Sequence, residues 1–173
     1  MTNSRILVVY YSRTGTTRKV AESVAAALQC GSEEIVEDRS RRGNLGYLRS
    51  LFEAIRKVPS HTIAEPENPS TYDLIVIGTP VWAWSVSSPV RAYMTAARTR
   101  LPAVAFFCTM GGAGAEKAFA QMQALAGKSP AACLAVKAHD VASASYGPEL
   151  EAFVETLQQG LPRQTERTAP NAA

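Results

Sequence analysis

Short apolar runs alternate along the chain with segments whose apolar residues recur at helical spacing, and this alternation indicates an α/β fold. The predicted strands are Ile6 to Tyr11, Glu33 to Glu37, Leu74 to Ile77, Ala103 to Cys108 and Ala132 to Val136. An unbroken apolar strand such as Leu74 to Ile77 is typical of a parallel sheet that is covered on both faces. Right-handed crossovers then predict a doubly wound, three-layer α/β sandwich with a five-stranded parallel sheet.

Five helices are predicted between and after the strands, each from one apolar stripe. The stripes are Val20-Val24-Ala27-Leu28, Leu45-Leu48-Leu51-Phe52-Ile55, Val90-Tyr93-Met94-Ala97, Phe119-Met122-Leu125 and Leu150-Phe153-Val154-Leu157. Pro59 ends the second helix and Pro89 begins the third. We therefore expect one domain over residues 1–160 and a flexible C-terminal tail over residues 161–173, where the composition turns polar.

Composition excludes several classes of protein. Hydrophobic residues make up 46% of the 173 residues and charged residues 19%, which argues against disorder and coiled coil. No apolar run approaches the ~20 residues of a membrane span, and no signal peptide is recognisable, so a cytoplasmic protein without a membrane span is expected. Cys30, Cys108 and Cys133 form no Cys-x-x-Cys pair, so neither a zinc site nor a disulfide scaffold is predicted.

The charge pattern is mildly basic. The net charge is +3, and the one dense basic cluster is Arg39, Arg41 and Arg42. A solvated loop is the favoured interpretation of this cluster, with a phosphate or partner patch as the alternative. We predict no nucleic-acid partner.

Three unusual loops follow predicted strands and should meet at the carboxyl edge of the sheet, where such folds bind ligands. The first, residues 12–17, has four hydroxyl side chains and one glycine immediately before a helix. Unpaired amides and the helix dipole favour an anion there. One hydroxyl would suffice for an N-cap, so the loop predicts a phosphate site.

The second loop, residues 79–88, contains both tryptophans of the chain, Trp82 and Trp84. Exposing an indole to water in a loop costs free energy unless the ring packs against another group, so we expect at least one of the two to contact a flat ligand. The alternative is that one or both cap the neighbouring helix. The third loop, residues 109–114, is rich in glycine and can bring backbone amides close to a ligand. Together the loops suit a phosphorylated planar cofactor.

Other phosphate-binding proteins fit the sequence less well. No Gly-x-x-x-x-Gly-Lys or Gly-x-Gly-x-x-Gly follows the first strand, which argues against a P-loop and a dinucleotide site. The third strand ends in Gly78-Thr79-Pro80 without the aspartate of a receiver domain, and no cysteine precedes an anion loop of the phosphatase type.

The chain resembles the flavodoxins and flavodoxin-like FMN proteins of the short-chain type. The resemblance runs from Ile6 to about Leu157, and its most specific part is Tyr-Ser-x-Thr-Gly-x-Thr over Tyr11 to Thr17. The stretches Tyr72 to Trp82 and Phe106 to Gly112 match the family's other two flavin loops. The resemblance implies non-covalently bound FMN, a redox function, and the strand order 2-1-3-4-5 that is known for flavodoxin.

The resemblance also implies which residues hold the flavin. Ser12, Arg13, Thr14, Gly15, Thr16 and Thr17 would bind the phosphate; Thr79, Pro80, Val81, Trp82, Ala83 and Trp84 would flank the ring; and Thr109, Met110, Gly111, Gly112 and Gly114 would face its pyrimidine edge. No catalytic side chain and no metal ligand is predicted. His139 and Tyr146 follow the last strand, and a solvated role is the favoured interpretation for His139.

The sequence leaves the type of redox function open. The first alternative is a carrier of electrons to and from a partner protein, and the second is an NAD(P)H-dependent reductase of quinones or other small molecules. An FMN-free scaffold is a weaker third. Electron-carrying flavodoxins are typically acidic, whereas residues 74–115 contain no Asp or Glu but include Arg91, Arg98 and Arg100. This charge pattern favours two-electron chemistry over a low-potential carrier.

Overall fold

The computed structural model describes residues 4–36 and 68–160. Within these ranges it contains six strands, five helices and one 3₁₀ turn. The strands are β1 (Ile6–Tyr10), β2 (Gly31–Glu34), β3 (Leu74–Trp82), β4 (Ser85–Val86), β5 (Ala103–Met110) and β6 (Cys133–Lys137). The helices are α1 (Thr16–Leu28), α2 (Ser88–Ala97), α3 (Ala115–Ala126), α4 (Ala138–Ser143) and α5 (Gly147–Gly160), with a single 3₁₀ turn at Pro69–Thr71.

Five strands are parallel and lie in the order β2-β1-β3-β5-β6, while the short β4 pairs antiparallel with the end of β3. When the parallel strands alone are numbered, this is the order 2-1-3-4-5, so the predicted fold class and order are confirmed. The order reverses between β1 and β3, whose carboxyl ends lie side by side because Tyr10 is paired with Gly78. A crevice is expected at that edge of the sheet.

Apolar residues on the two faces of the sheet form two separate cores. Alternate residues of β1, β3 and β5, among them Val9, Ile77 and Phe106, pack with α2 and α3. Their neighbours in sequence, among them Val8 and Phe107, pack with α1 and α5. Phe106 and Phe107 are both fully buried, and burying one such side chain stabilises the fold by about 1.5–3 kcal/mol. Most residues of the central strands are apolar because both faces of the sheet are covered.

Three expectations about local structure differ from what is observed. The second strand is Gly31–Glu34 and not Glu33 to Glu37: Ile35 and Val36 follow this edge strand, whose own residues are mostly polar. The third strand continues past Ile77 to Trp82 and turns back into β4, so much of the predicted second loop is a hairpin. The short helix α4 after the last strand was not expected.

Some predictions lie outside the described residues. These are the helix with its stripe at Leu45 to Ile55, the stop at Pro59, the basic cluster Arg39, Arg41 and Arg42, and the tail from Leu161. Among the residues that the structure does describe, no helix is both long and apolar enough to cross a lipid bilayer.

Candidate functional site

A cleft of about 400 Å³ opens at the carboxyl ends of β1, β3 and β5. Its walls come from the β1–α1 loop, the end of β3, the β5–α3 loop and the start of α4. The residues that line it are Arg13, Thr14, Thr16, Thr17, Pro80, Val81, Trp82, Thr109, Met110, Gly111 and Ala138. One end of the cleft is therefore rich in hydroxyl groups, and the other is apolar and aromatic.

The hydroxyl-rich end lies at the N-terminus of α1. Ser12 Oγ accepts hydrogen bonds from the amides of Gly15 (3.1 Å) and Arg18 (3.2 Å), so Ser12 holds the loop together. Gly15 is the N-cap residue, its φ of 89° is left-handed, and it makes no side-chain cap bond. The Thr14 and Thr16 hydroxyls lie 3.4 Å apart at the protein surface. Capping therefore occupies Ser12 and leaves these two threonines available to a ligand.

This end of the cleft has the properties of an anion site. The amides of the first helical turn, at Thr16 and Thr17, have no acceptor within the helix. The first turn of α1 contains no acidic residue that could take the place of a bound anion. The helix dipole adds a partial positive charge at the same point. Arg18 does not extend this site, because its guanidinium lies 2.6 Å from the Glu34 carboxylate on β2.

Thr17 and Thr109 connect the first and third loops. Their hydroxyl oxygens lie 2.8 Å apart, and the two residues are only 2% and 4% exposed. One hydroxyl donates to the other, which leaves a single proton of the pair free to point elsewhere. Since both residues line the cleft, this proton is available to a bound ligand, and the bond fixes the distance between the two loops.

Trp82 forms part of the aromatic end of the cleft. The residue is 40% exposed, and its ring packs edge-to-face on Tyr11, with ring centroids 5.9 Å apart and planes at 90°. The Arg13 guanidinium lies 5.9 Å from the centre of the same indole ring. Pro80, Val81 and Met110 complete the apolar wall. A flat ring system bearing a phosphate fits a cleft that is anion-binding at one end and apolar at the other.

Ten of the predicted site residues line the cleft, and seven do not: Ser12, Gly15, Thr79, Ala83, Trp84, Gly112 and Gly114. Thr79 is fully buried, and its hydroxyl bonds to Ser87, which anchors the base of the hairpin. Gly114 has a φ of +111°, and a Cβ there would lie 2.9 Å from Trp84 Cδ1. The hairpin can therefore pack this closely against the start of α3 only because residue 114 has no side chain.

Ala138 lines the cleft although it belongs to none of the three predicted loops. Its position directly after a parallel strand is the signal that could have found it. The neighbouring His139 is exposed and lies 2.7 Å from Asp140, and the Tyr146 hydroxyl lies 2.9 Å from that of Ser23.

Within residues 4–36 and 68–160, Arg13 is the single charged side chain that lines the cleft, and no carboxylate lines it. The three arginines noted in the sequence contribute less than expected. Arg91 bonds to Ser85 and Gln121, behind the hairpin. Arg98 lies 3.0 Å from the position of a Cβ on Gly127, where α3 ends, and Arg100 follows at the same end of α2. Both arginines therefore lie near the amino ends of the parallel strands, whereas the cleft opens at their carboxyl ends.

Comparison with known proteins agrees with this fold. The flavodoxin family matches residues 5–135, which is most of the chain. A flavoprotein from Lactobacillus acidophilus, solved in complex with FMN, is 21% identical with a TM-score of 0.58, over 82% of this chain and 99% of that one. Two-electron reduced flavodoxin from Megasphaera elsdenii is 16% identical with a TM-score of 0.58, over 90% of this chain and 99% of that one.

An NAD(P)H dehydrogenase (quinone) from Archaeoglobus fulgidus is 30% identical over 99 residues, which are 53% of this chain and 50% of that protein. The chain thus spans about half the length of this curated relative. The family match extends over more than half of the chain, and the chain belongs to the flavodoxin family. This membership confirms the predicted cofactor: the protein has the FMN-binding fold of the flavodoxins.

Proposed function

We propose that this protein is an FMN-dependent oxidoreductase that takes an electron pair from NADH or NADPH and reduces a small acceptor of the quinone class. One observation carries the proposal: among the residues that the structure describes, those that line the cleft include Arg13 and no carboxylate. The quinone-reducing relative from Archaeoglobus supports the same class of reaction. Free thiols at Cys30, Cys108 and Cys133 fit a reducing compartment, for which we propose the cytoplasm.

The chain's own residues would hold FMN by its two ends. The Thr14 and Thr16 hydroxyls and the first-turn amides of α1 would bind the phosphate. Pro80, Val81 and Trp82 would pack against the ring and exclude water from it. When bound, the flavin supplies the electron-transfer chemistry, and the protein sets its orientation and potential.

The missing carboxylates matter because fully reduced FMN carries a negative charge on its ring at neutral pH. A carboxylate ~10 Å away at an effective dielectric of ~20 would raise the energy of that charge by about 1.7 kcal/mol. Acidic side chains therefore oppose the second electron. No described residue that lines this cleft is acidic, and the positive charge of Arg13 acts in the opposite direction. The full two-electron reduction is thus favoured over a stop after one electron.

A second candidate is a carrier that exchanges single electrons with a partner protein. The observation that favours it is the exposure of Trp82 (40%) and Trp84 (58%) on the hairpin beside the open cleft. Exposed indoles are common at protein interfaces. The same surface would also suit a small planar acceptor, so the choice between the two candidates depends on kinetics.

Anaerobic mixing of the FMN-loaded protein with NADH and with NADPH separates these candidates. A reductase should lose its flavin absorbance within the mixing experiment and recover it when benzoquinone is added. Free FMN at the same concentration is the control for the uncatalysed reaction. Flavin that is reduced by dithionite but by neither nucleotide faster than free FMN would refute the reductase and support the carrier.

A further inference from the structure

The turn at the tip of the β3–β4 hairpin has a backbone conformation that its residues do not favour. Ala83 and Trp84 have φ values of 48° and 58°, both left-handed. Two-residue hairpin turns with two positive φ angles are usually formed by Asn-Gly or similar pairs. Side chains with a Cβ disfavour this region, so the surrounding structure must hold the turn in place.

A single side chain of α3 makes most of the polar contacts to this turn. Gln121 Oε1 accepts hydrogen bonds from Ser85 Oγ (2.9 Å), the Val86 amide (3.2 Å) and Arg91 Nη2 (2.8 Å). Gln121 Nε2 donates to the carbonyl oxygen of Trp84 (3.4 Å). Arg91 Nη2 also donates to Ser85 Oγ (3.0 Å), which closes the cluster.

The same stripe of α3 supports the hairpin on its apolar side. Gly114, Lys117 and Gln121 are three and four residues apart and so share one face of the helix start. A Cβ on Gly114 would lie 3.1 Å from Trp84 Cα, which shows how closely the turn approaches the helix. Lys117 Nζ lies 5.9 Å from the centre of the Trp84 ring. The tip is thus held by packing as well as by hydrogen bonds.

The hydrogen bonds of Gln121 act indirectly on Trp82, which lines the cleft. Ser85 pairs with Trp82 across the hairpin, so a contact that fixes Ser85 also fixes the backbone of Trp82. Gln121 itself is not among the residues that line the cleft. Its influence on the site must therefore act through the hairpin.

We propose that Gln121, together with Arg91, is a positioning residue that holds the Ala83–Trp84 turn and thereby fixes Trp82 at the flavin cleft. The proposal rests on the proposed FMN site. These hydrogen bonds hold Trp82 in place before the flavin binds. Flavin binding therefore does not carry the free-energy cost of immobilising this side chain.

Four variants test this role. Gln121→Leu removes all four hydrogen bonds at similar side-chain volume, and Gln121→Glu keeps the acceptor oxygens for Ser85, Val86 and Arg91. Arg91→Met removes one donor of the same cluster and serves as a second, milder disruption. Gln123→Leu is the matched control, because Gln123 lies on the same helix but contacts Ser129 instead of the hairpin.

Two properties are measured on each folded variant. The first is the near-ultraviolet circular dichroism of the tryptophans without flavin, which reports whether the indoles are held in fixed orientations. The second is the dissociation constant of FMN and of riboflavin. We expect Gln121→Leu to reduce the tryptophan signal and weaken both flavins about tenfold, as when one more side chain must be immobilised on binding. Arg91→Met should show smaller changes of the same kind, whereas Gln121→Glu and Gln123→Leu should resemble wild type.

The proposal would be overturned by a wild-type tryptophan signal in Gln121→Leu, or by a reduced signal with unchanged flavin affinity. Equal effects of Gln121→Leu and Gln123→Leu would also overturn it. If the wild-type protein bound no flavin, the proposed function would fail. The flavin-free dichroism would then still decide whether Gln121 orders the turn.

Discussion

Removal of the two surface hydroxyls at the N-terminus of α1 should weaken FMN and leave riboflavin almost unaffected. Thr14→Val and Thr16→Val keep the side-chain shape and delete the hydroxyls, which lie 3.4 Å apart. A hydrogen bond to a charged group contributes about 1.5–3 kcal/mol, so each single change should raise the dissociation constant of FMN about 10- to 150-fold. In the double variant, the loss of binding free energy should be smaller than the sum of the two single losses, because adjacent hydroxyls that share one ligand are coupled.

Thr17 is a poor choice for this experiment, although the sequence alone would select it equally. Its hydroxyl is buried against Thr109, so its removal would also affect folding. The assay is quenching of flavin or tryptophan fluorescence in parallel titrations with FMN and riboflavin. Thr156→Val is the matched control, since Thr156 is an exposed helical threonine whose hydroxyl bonds to the carbonyl of Ala152 on α5. An equal loss of affinity for both flavins in the Thr14 and Thr16 variants would refute the phosphate assignment.

Three further predictions concern the tryptophans, the core and the thiols. Because Trp82 lines the cleft and Trp84 does not, FMN should still quench most of the tryptophan emission in Trp84→Phe but little of it in Trp82→Phe; equal quenching in the two variants would contradict the site geometry. Gly78→Ala would place a Cβ 2.0 Å from Phe107 Cζ, so urea unfolding should show that the free energy of unfolding falls by about 1–3 kcal/mol or more. Gly112→Ala, where a Cβ would have nothing within 4 Å, should be nearly neutral, and a Gly78→Ala variant as stable as wild type would contradict the packing. Burial raises the pKa of the Cys108 thiol to about 12, which leaves almost no thiolate at pH 8, so a thiol reagent should label the exposed Cys133 first and Cys108 only on unfolding; early labelling of Cys108 would contradict its burial.

Much of the fold could be predicted because the central strands are apolar on both faces. Leu74 to Ile77 and Ala103 to Cys108 are unbroken apolar runs, and the observed strands contain both of them. The prediction of a phosphate site in the β1–α1 loop has a different basis, since four hydroxyls in six residues exceed what capping needs, and it stays a prediction. The structure then divides them, with Ser12 holding the loop and Thr14 and Thr16 at the surface.

The hairpin could not be predicted from local sequence. Its turn residues, Ala83 and Trp84, contain neither the glycine nor the asparagine that usually marks such a turn. The contacts that hold it come from Gln121, which is 37 residues from Trp84 in the chain. The predicted bounds of the second strand were wrong for a different reason. Ile35 is buried although it follows the strand, so the apolar residues suggested a later segment than the polar residues that pair with β1.

The positions of the arginines could not be predicted from the sequence. Arg91, Arg98 and Arg100 are close in sequence to the flavin loops, yet α2 carries Arg98 and Arg100 to the opposite edge of the sheet, and Arg91 faces Gln121. Among the described residues that line the cleft, Arg13 is the cation and none is a carboxylate. This charge pattern predicts whether a bound flavin takes up one electron or two.

The redox titration of the bound flavin can be followed by spectroelectrochemistry of the FMN-loaded protein at neutral pH. Because no carboxylate is among the described residues that line the cleft, the second electron should enter about as readily as the first. We therefore predict one transition between oxidised and fully reduced flavin, with a slope of about 30 mV per tenfold change in the ratio of the two forms. Two well-separated transitions of about 59 mV each, the second at a very negative potential, would contradict it.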